Sequence, residues 1–129
     1  MNAMKTMLAV LLLGAPAMAH EGHDHGAVKA ASGKTTTVKG ELLDLACYMA
    51  GEEKGAKHAE CAGMCVAGGS PLGVLAADGK VYLLVNDHHD EKPYAAAKTL
   101  AGMKATVTGR LVTRGGLPAI IVASAEKMP

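Results

Sequence analysis

Apolar and polar residues alternate in five segments of the chain, and this pattern predicts β-strands with one face towards a core. The segments span residues 37–45, 72–77, 80–85, 104–112 and 117–124. Asp78-Gly79 lies between the second and third segments. This dipeptide predicts a hairpin, because glycine tolerates the positive φ that a tight turn requires.

Two other segments have the features of short helices. Residues 57–66 lie in a stretch rich in Ala, Lys, Glu and Gly, and Gly68-Gly69 follows as a stop signal. Residues 93–101 begin with Pro93, which suits the first turn of a helix, and precede Gly102, which suits its end.

The order of these elements predicts a mainly β fold over residues 36–129: a five-stranded OB-like Greek-key barrel. A helical insert carrying Cys and His lies between strands 1 and 2, and a short helix lies between strands 3 and 4. We expect the strands to pair antiparallel. The predicted core residues are Val74, Leu75, Val81, Leu83, Val85, Val107, Leu111, Ile120 and Val122.

Two stretches of sequence resemble known bacterial proteins. Residues 100–111 followed by Ile120-Ile121-Val122 resemble the closing half of small exported OB-fold proteins. The His-x-x-Cys-Ala-x-x-Cys block at 58–65, followed by residues 71–75, resembles a group of exported bacterial proteins without an assigned activity. The resemblance covers about residues 36–125. It implies the fold and export, but not a function, because the fold hosts many.

The N-terminus has the order of a secretory signal peptide. Lys5 is followed by an apolar run at 7–15 and by the small-x-small site Ala17-Met18-Ala19. The run is shorter than the ~20 residues that span a bilayer. An uncleaved anchor or a buried helix is the alternative. We therefore expect residues 1–19 to be removed, leaving a periplasmic or secreted protein that begins at His20 and has no membrane span.

Loss of the signal peptide changes the composition. It removes Lys5 and no acid, which leaves twelve basic against twelve acidic residues. Four of the eight Met residues also lie in the signal peptide, and the chain has no Trp, no Phe and three Tyr. A neutral chain with few aromatics argues against nucleic-acid binding, which needs basic grooves and stacking platforms.

Residues 20–35 are rich in His, Gly and small polar residues, a composition typical of a disordered arm. The α-amino group and imidazole of His20, with His23 or His25, could chelate Cu(II) or zinc. A solvated tail with idle histidines is the alternative.

A second candidate metal site lies in the insert. At about 100° per residue along a helix, His58, Cys61 and Cys65 share one face. Cys47, which precedes the helix, can fold back onto that face. Three Cys with one His form a recognised zinc set, and thiolates with imidazole also suit copper. Met49 and Met64 add soft thioethers that would favour Cu(I). The predicted ligands are Cys47, His58, Cys61 and Cys65.

A disulfide from Cys47 to Cys61 or to Cys65 is the alternative in an oxidising compartment. The odd number of cysteines leaves one thiol over and favours a metal, so both interpretations stay open. Under either one we expect the three cysteines to converge, with His58 close by.

These features predict an exported small metal-binding protein for copper or zinc, with the His-rich arm as a collector. The alternative is a disulfide-stapled OB-fold module that binds an envelope protein. A thiol-redox enzyme is the weaker third hypothesis, because the chain lacks Cys-x-x-Cys. We identify no catalytic residues and expect no enzyme activity. His88 and His89, in a polar loop, are expected to be idle.

Overall fold

The computed structural model describes residues 32–129. The five strands are β1 (Lys34–Asp44), β2 (Leu72–Ala76), β3 (Val81–Val85), β4 (Lys104–Arg114) and β5 (Leu117–Lys127). The helices are α1 (Leu45–Gly51), α2 (Ala59–Ala67) and α3 (Lys92–Lys98), and a 3-10 turn covers Ala56–His58. The predicted signal peptide and His20, His23 and His25 lie outside the described residues. β1 begins inside the stretch expected to be a disordered arm, because Lys34 and Thr35 pair with β4.

The strands close into a barrel in the order β1-β2-β3-β5-β4. This confirms the predicted five-stranded OB-like barrel, with helices between β1 and β2 and between β3 and β4. One expectation about pairing was wrong: β3 and β5 run parallel, whereas the other neighbours are antiparallel. Parallel strands need a crossover between them, and here α3 and β4 supply it.

β1 pairs with two neighbouring strands, and its pairing partner changes at Gly40. Its first part pairs with β4 and its last part, from Gly40 to Asp44, pairs with β2. A Cβ on Gly40 would lie 2.1 Å from the carbonyl oxygen of Leu75, so only glycine allows the two strands to approach this closely.

The core fills the barrel and is closed by small residues of the helices. Four of the nine predicted core residues, Val74, Val107, Ile120 and Val122, are buried. Leu111 is partly buried and packs against the core, while Leu75 is half-buried. Helices α2 and α3 contribute Ala62, Val66 and Ala97.

The predicted face of β3 was wrong. Val81, Leu83 and Val85 are only half-buried, whereas Leu84 is 2% exposed and Tyr82 packs against the core. Every residue of this strand is apolar or aromatic, so alternation cannot distinguish its two faces. The parallel pairing of Leu84 with Ile120 decides which face is inward.

Helix α1 was also missed. Leu45 was assigned to the first strand, but the strand ends at Asp44, which adopts extended angles and accepts a hydrogen bond from the amide of Ala46 at 2.9 Å. An aspartate in this position is a standard helix N-cap. Within residues 32–129 no helix is both long and apolar enough to cross a membrane.

The assignment of the β3 face can be tested with two neighbouring leucines. We expect Leu84→Ala to lower the free energy of unfolding by about 2–5 kcal/mol, because it opens a cavity in a packed core. The matched control Leu83→Ala should cost under about 2 kcal/mol, because that side chain is only half-buried. Urea denaturation measures both, and an equal or larger loss for Leu83→Ala would contradict the assigned face.

Candidate metal centre

A buried carboxylate lies where β1 meets α1. Asp44 is 1% exposed and is the only buried charged residue in the described part of the chain. Its Oδ1 accepts hydrogen bonds from the Ala46 amide and from the Ser70 hydroxyl. Its Oδ2 is buried and has no hydrogen-bond partner of normal geometry among residues 32–129. One oxygen of this carboxylate is therefore fully engaged, while the other is left for a further ligand.

The Asp44 carboxyl is stable as an anion. Burial on its own raises its pKa, but the hydrogen bonds from the Ser70 hydroxyl and the Ala46 amide, together with the polar surroundings provided by the Cys47 thiol and amide, outweigh burial. The pKa therefore lies below its ordinary value of 3.8. A carboxylate that receives several hydrogen bonds favours its charged form, so Asp44 is a negative ligand at neutral pH.

Cys47 lies in the first turn of α1, three residues after Asp44. Its thiol lies against the Asp44 carboxylate, and this side-chain interaction, followed by burial and the charge of Asp44, raises its pKa to about 12. Without a cation the thiol therefore keeps its proton. A bound metal ion reverses this preference, because a thiol that coordinates a metal is deprotonated.

His58 approaches the same point from the other end of the insert. It ends the 3-10 turn and occupies the N-cap position of α2, where its side chain is 13% exposed. Nδ1 lies 3.9 Å from Oε2 of Glu53. Nε2 is buried and finds no hydrogen-bond partner in the described part of the chain. The ring therefore has one nitrogen near a carboxylate and the other without a partner, an arrangement that metal-ligating histidines commonly show.

These three side chains form a group that could hold a metal ion. One ligand atom from each of Asp44, Cys47 and His58 lies within 4.8 Å of the other two. Two ligands of a tetrahedral zinc ion, each about 2.0–2.3 Å from it, lie about 3.3–3.8 Å apart, so small side-chain movements would bring the three atoms to the separation that a shared ion requires. Sulfur, imidazole nitrogen and carboxylate oxygen are all zinc ligands.

The other two cysteines belong to α2 and differ in exposure. Cys65 is half-buried and Cys61 is exposed. The pKa of Cys65 is raised, first by its interaction with the Cys61 thiol, then by burial and by the nearby Asp44. Cys47, Cys61 and Cys65 are all free thiols in the described structure. Cys65 is thus a further sulfur donor in the neighbourhood of Asp44.

The arrangement can be compared with the ligands proposed from the sequence. The structure brings Cys47 and His58 together, places Cys65 beside Asp44 and leaves Cys61 at the surface. Asp44 was missed, although an acid at a strand end three residues before a cysteine is a readable signal. His88 and His89 are exposed and belong to no group of potential ligands within residues 32–129.

The fold and this group of side chains define a small β-barrel protein with a candidate metal centre in the insert between its first two strands. Comparisons of the chain with protein-family models, curated proteins and solved structures gave no match. The site itself is therefore the basis for proposing a function.

The structural role of Asp44 can be separated from its charge. We expect Asp44→Asn, measured with a chelator present, to keep the free energy of unfolding within about 1 kcal/mol, because asparagine caps a helix as well as aspartate does. Asp44→Ala should cost about 1–2 kcal/mol through loss of the cap. Chemical denaturation measures both, with Asp78→Ala in an exposed turn as the control. Equal losses in the free energy of unfolding for Asp44→Asn and Asp44→Ala would show that the helix cap does not account for the stability that Asp44 provides.

Proposed function

We propose that this is an exported metal-binding protein whose ion is held by Asp44, Cys47 and His58, with Cys65 as the fourth donor. The observation that carries this proposal is that one ligand atom from each of the three residues lies within 4.8 Å of the other two, while Asp44 Oδ2 and His58 Nε2 are both buried without partners in the described structure. A buried polar atom without a partner costs about 1–3 kcal/mol, and a cation placed between these atoms would relieve both costs.

The types of donor favour zinc over Cu(I). Cu(I) is selected by soft thiolate and thioether ligands, whereas this group contains a carboxylate and an imidazole. The methionines that suggested copper, Met49 and Met64, are 77% and 64% exposed.

The charge of the group supports the same choice. Asp44 as carboxylate and Cys47 as thiolate carry two negative charges, which a divalent ion neutralises and a monovalent ion does not. Because Asp44 is almost fully buried, uncompensated charge there would be costly. Zn²⁺ cancels the charges of the Asp44 carboxylate and the Cys47 thiolate, so that a Cys65 thiolate as fourth donor leaves only one net negative charge at the site.

The His-rich arm and export belong to the same proposal. His20, His23 and His25 would collect copper or zinc in a compartment reached through the signal peptide. The rival hypothesis remains a stapled interaction module that binds an envelope protein. The free state of all three cysteines in the described structure favours the metal hypothesis over the staple.

Zinc affinity provides the first test. We expect His58→Ala to weaken zinc binding by more than about 100-fold, exceeding the 10–100-fold that the loss of an outer-shell partner costs. His89→Ala, which changes an exposed histidine outside the site, should bind like the unaltered protein. Competition with a chromogenic chelator, under reducing conditions, measures all three affinities. Equal affinity for His58→Ala and the control would overturn the proposed ligand set.

Cys47→Ser distinguishes the metal site from the staple. In the metal case zinc affinity falls, because a thiolate ligand has gone. In the staple case zinc affinity does not change, and the oxidised domain loses about 2–5 kcal/mol of stability. Denaturation of the protein with and without reductant shows which loss occurs.

Export has its own test. We expect protein recovered from the periplasm of a Gram-negative host to begin at His20, because Ala17-Met18-Ala19 is a signal-peptidase site. N-terminal sequencing with intact mass measurement checks the boundary. Protein beginning at Met1, or well beyond Gly26, would contradict both the cleavage site and the N-terminal chelate.

A further inference from the structure

Cys61 and Cys65 are four positions apart on α2, so their side chains lie on the same face of that helix, about one turn apart. Their thiols interact with each other. Cys61 is exposed, whereas Cys65 is half-buried. The pair therefore runs from solvent towards the interior.

The inner end of this pair reaches the candidate metal centre. The carbonyl of Cys65 accepts a hydrogen bond from the Ser70 amide at 2.9 Å, while the Ser70 hydroxyl donates to Asp44. The Cys65 thiol also interacts with the Asp44 carboxylate. Cys65 thus lies near both the surface thiol of Cys61 and the buried carboxylate of Asp44.

Solvent has little direct access to the inner ligands. Asp44 is 1% exposed, the His58 side chain is 13% exposed and Cys47 is half-buried. A hydrated ion cannot reach these atoms without losing most of its water first. Donors that replace the water one at a time lower that cost, and thiolates bind zinc well enough to do so.

We propose that Cys61 and Cys65 form an outer exchange site, through which a thiolate-binding divalent ion such as Zn²⁺ enters and leaves the inner centre. This inference rests on the proposed function and extends it from binding to transfer. Met64 lies on the same side of the helix, three residues after Cys61, and is 64% exposed. It adds a soft donor at the mouth of the outer site.

The transfer is a ligand exchange without redox change. The zinc–sulfur bond to Cys61 breaks as a zinc–sulfur bond to Cys47 forms, while Cys65 keeps its bond throughout. The released Cys61 thiolate takes up a proton from water, and the Cys47 thiol gives one up. The ion stays Zn²⁺, no electrons move, and outward transfer to a chelating acceptor is the reverse of these steps.

The test compares zinc affinity with the rate of zinc exchange in the mature protein under reducing conditions. We expect Cys61→Ser to leave the equilibrium dissociation constant within about threefold of the unaltered protein, a change of less than about 0.7 kcal/mol. Release of zinc to a chromogenic chelator in stopped flow should slow by about tenfold, equivalent to about 1.4 kcal/mol at the exchange step. Ala67→Ser, an exposed change on the same helix, should alter neither quantity.

The other outcomes are decisive in different ways. Unchanged release from Cys61→Ser would overturn the exchange site and leave the inner centre standing. A large loss of affinity would also overturn it, because Cys61 would then be a resident ligand. Failure of the unaltered protein to bind zinc, measured before any variant, would overturn the proposed function together with this inference.

Discussion

A carboxylate buried at the junction of barrel and insert is the constraint on which the rest of this structure depends. Moving an ion of this kind out of water costs several kcal/mol even after relaxation. Asp44 bears that cost at the last residue of β1, where its Oδ1 caps α1 and receives the Ser70 hydroxyl. The end of the first strand, the start of the first helix and the turn that leads into β2 are thereby fixed to one side chain.

The topology of the barrel explains why the insert can form a site. Asp44 pairs with Leu72 across β1 and β2, and the amide of Leu45 donates to the carbonyl of Pro71 at 2.9 Å. The two ends of the insert therefore leave and rejoin the barrel at the same place. Ala62 and Val66 anchor α2 in the core, while Glu41 accepts a hydrogen bond from the Gly55 amide and holds the intervening loop. Residues far apart in sequence, such as Cys47 and His58, meet because both ends of their segment are fixed.

The order and type of the strands were predictable, because alternation and turn residues act locally. Asp78-Gly79 does join β2 to β3, with Gly79 at φ 84°. The face of β3 was not predictable, since it depends on a parallel partner more than thirty residues away. Asp44 was overlooked for a similar reason: its burial follows from the hydroxyl of Ser70 and from barrel closure, and neither is visible in the residues next to it. His58 and Cys47 could be proposed because their residue types carry metal chemistry wherever they lie.

Two atoms of this site remain without partners in the described structure, and their position links metal binding to folding. The Ser70 hydroxyl donates its hydrogen bond to Oδ1 of Asp44. Oδ2 of Asp44 and Nε2 of His58 therefore stay unpaired. A small domain with a total stability of about 5–15 kcal/mol can carry few such costs. An ion that binds only the folded state adds about 2.7 kcal/mol when its concentration is 100 times its dissociation constant. Because Asp44 belongs to the barrel and His58 to the insert, this gain in stability would strengthen the attachment of the insert to the barrel. Binding of an ion at this site would therefore also fasten the insert to the barrel.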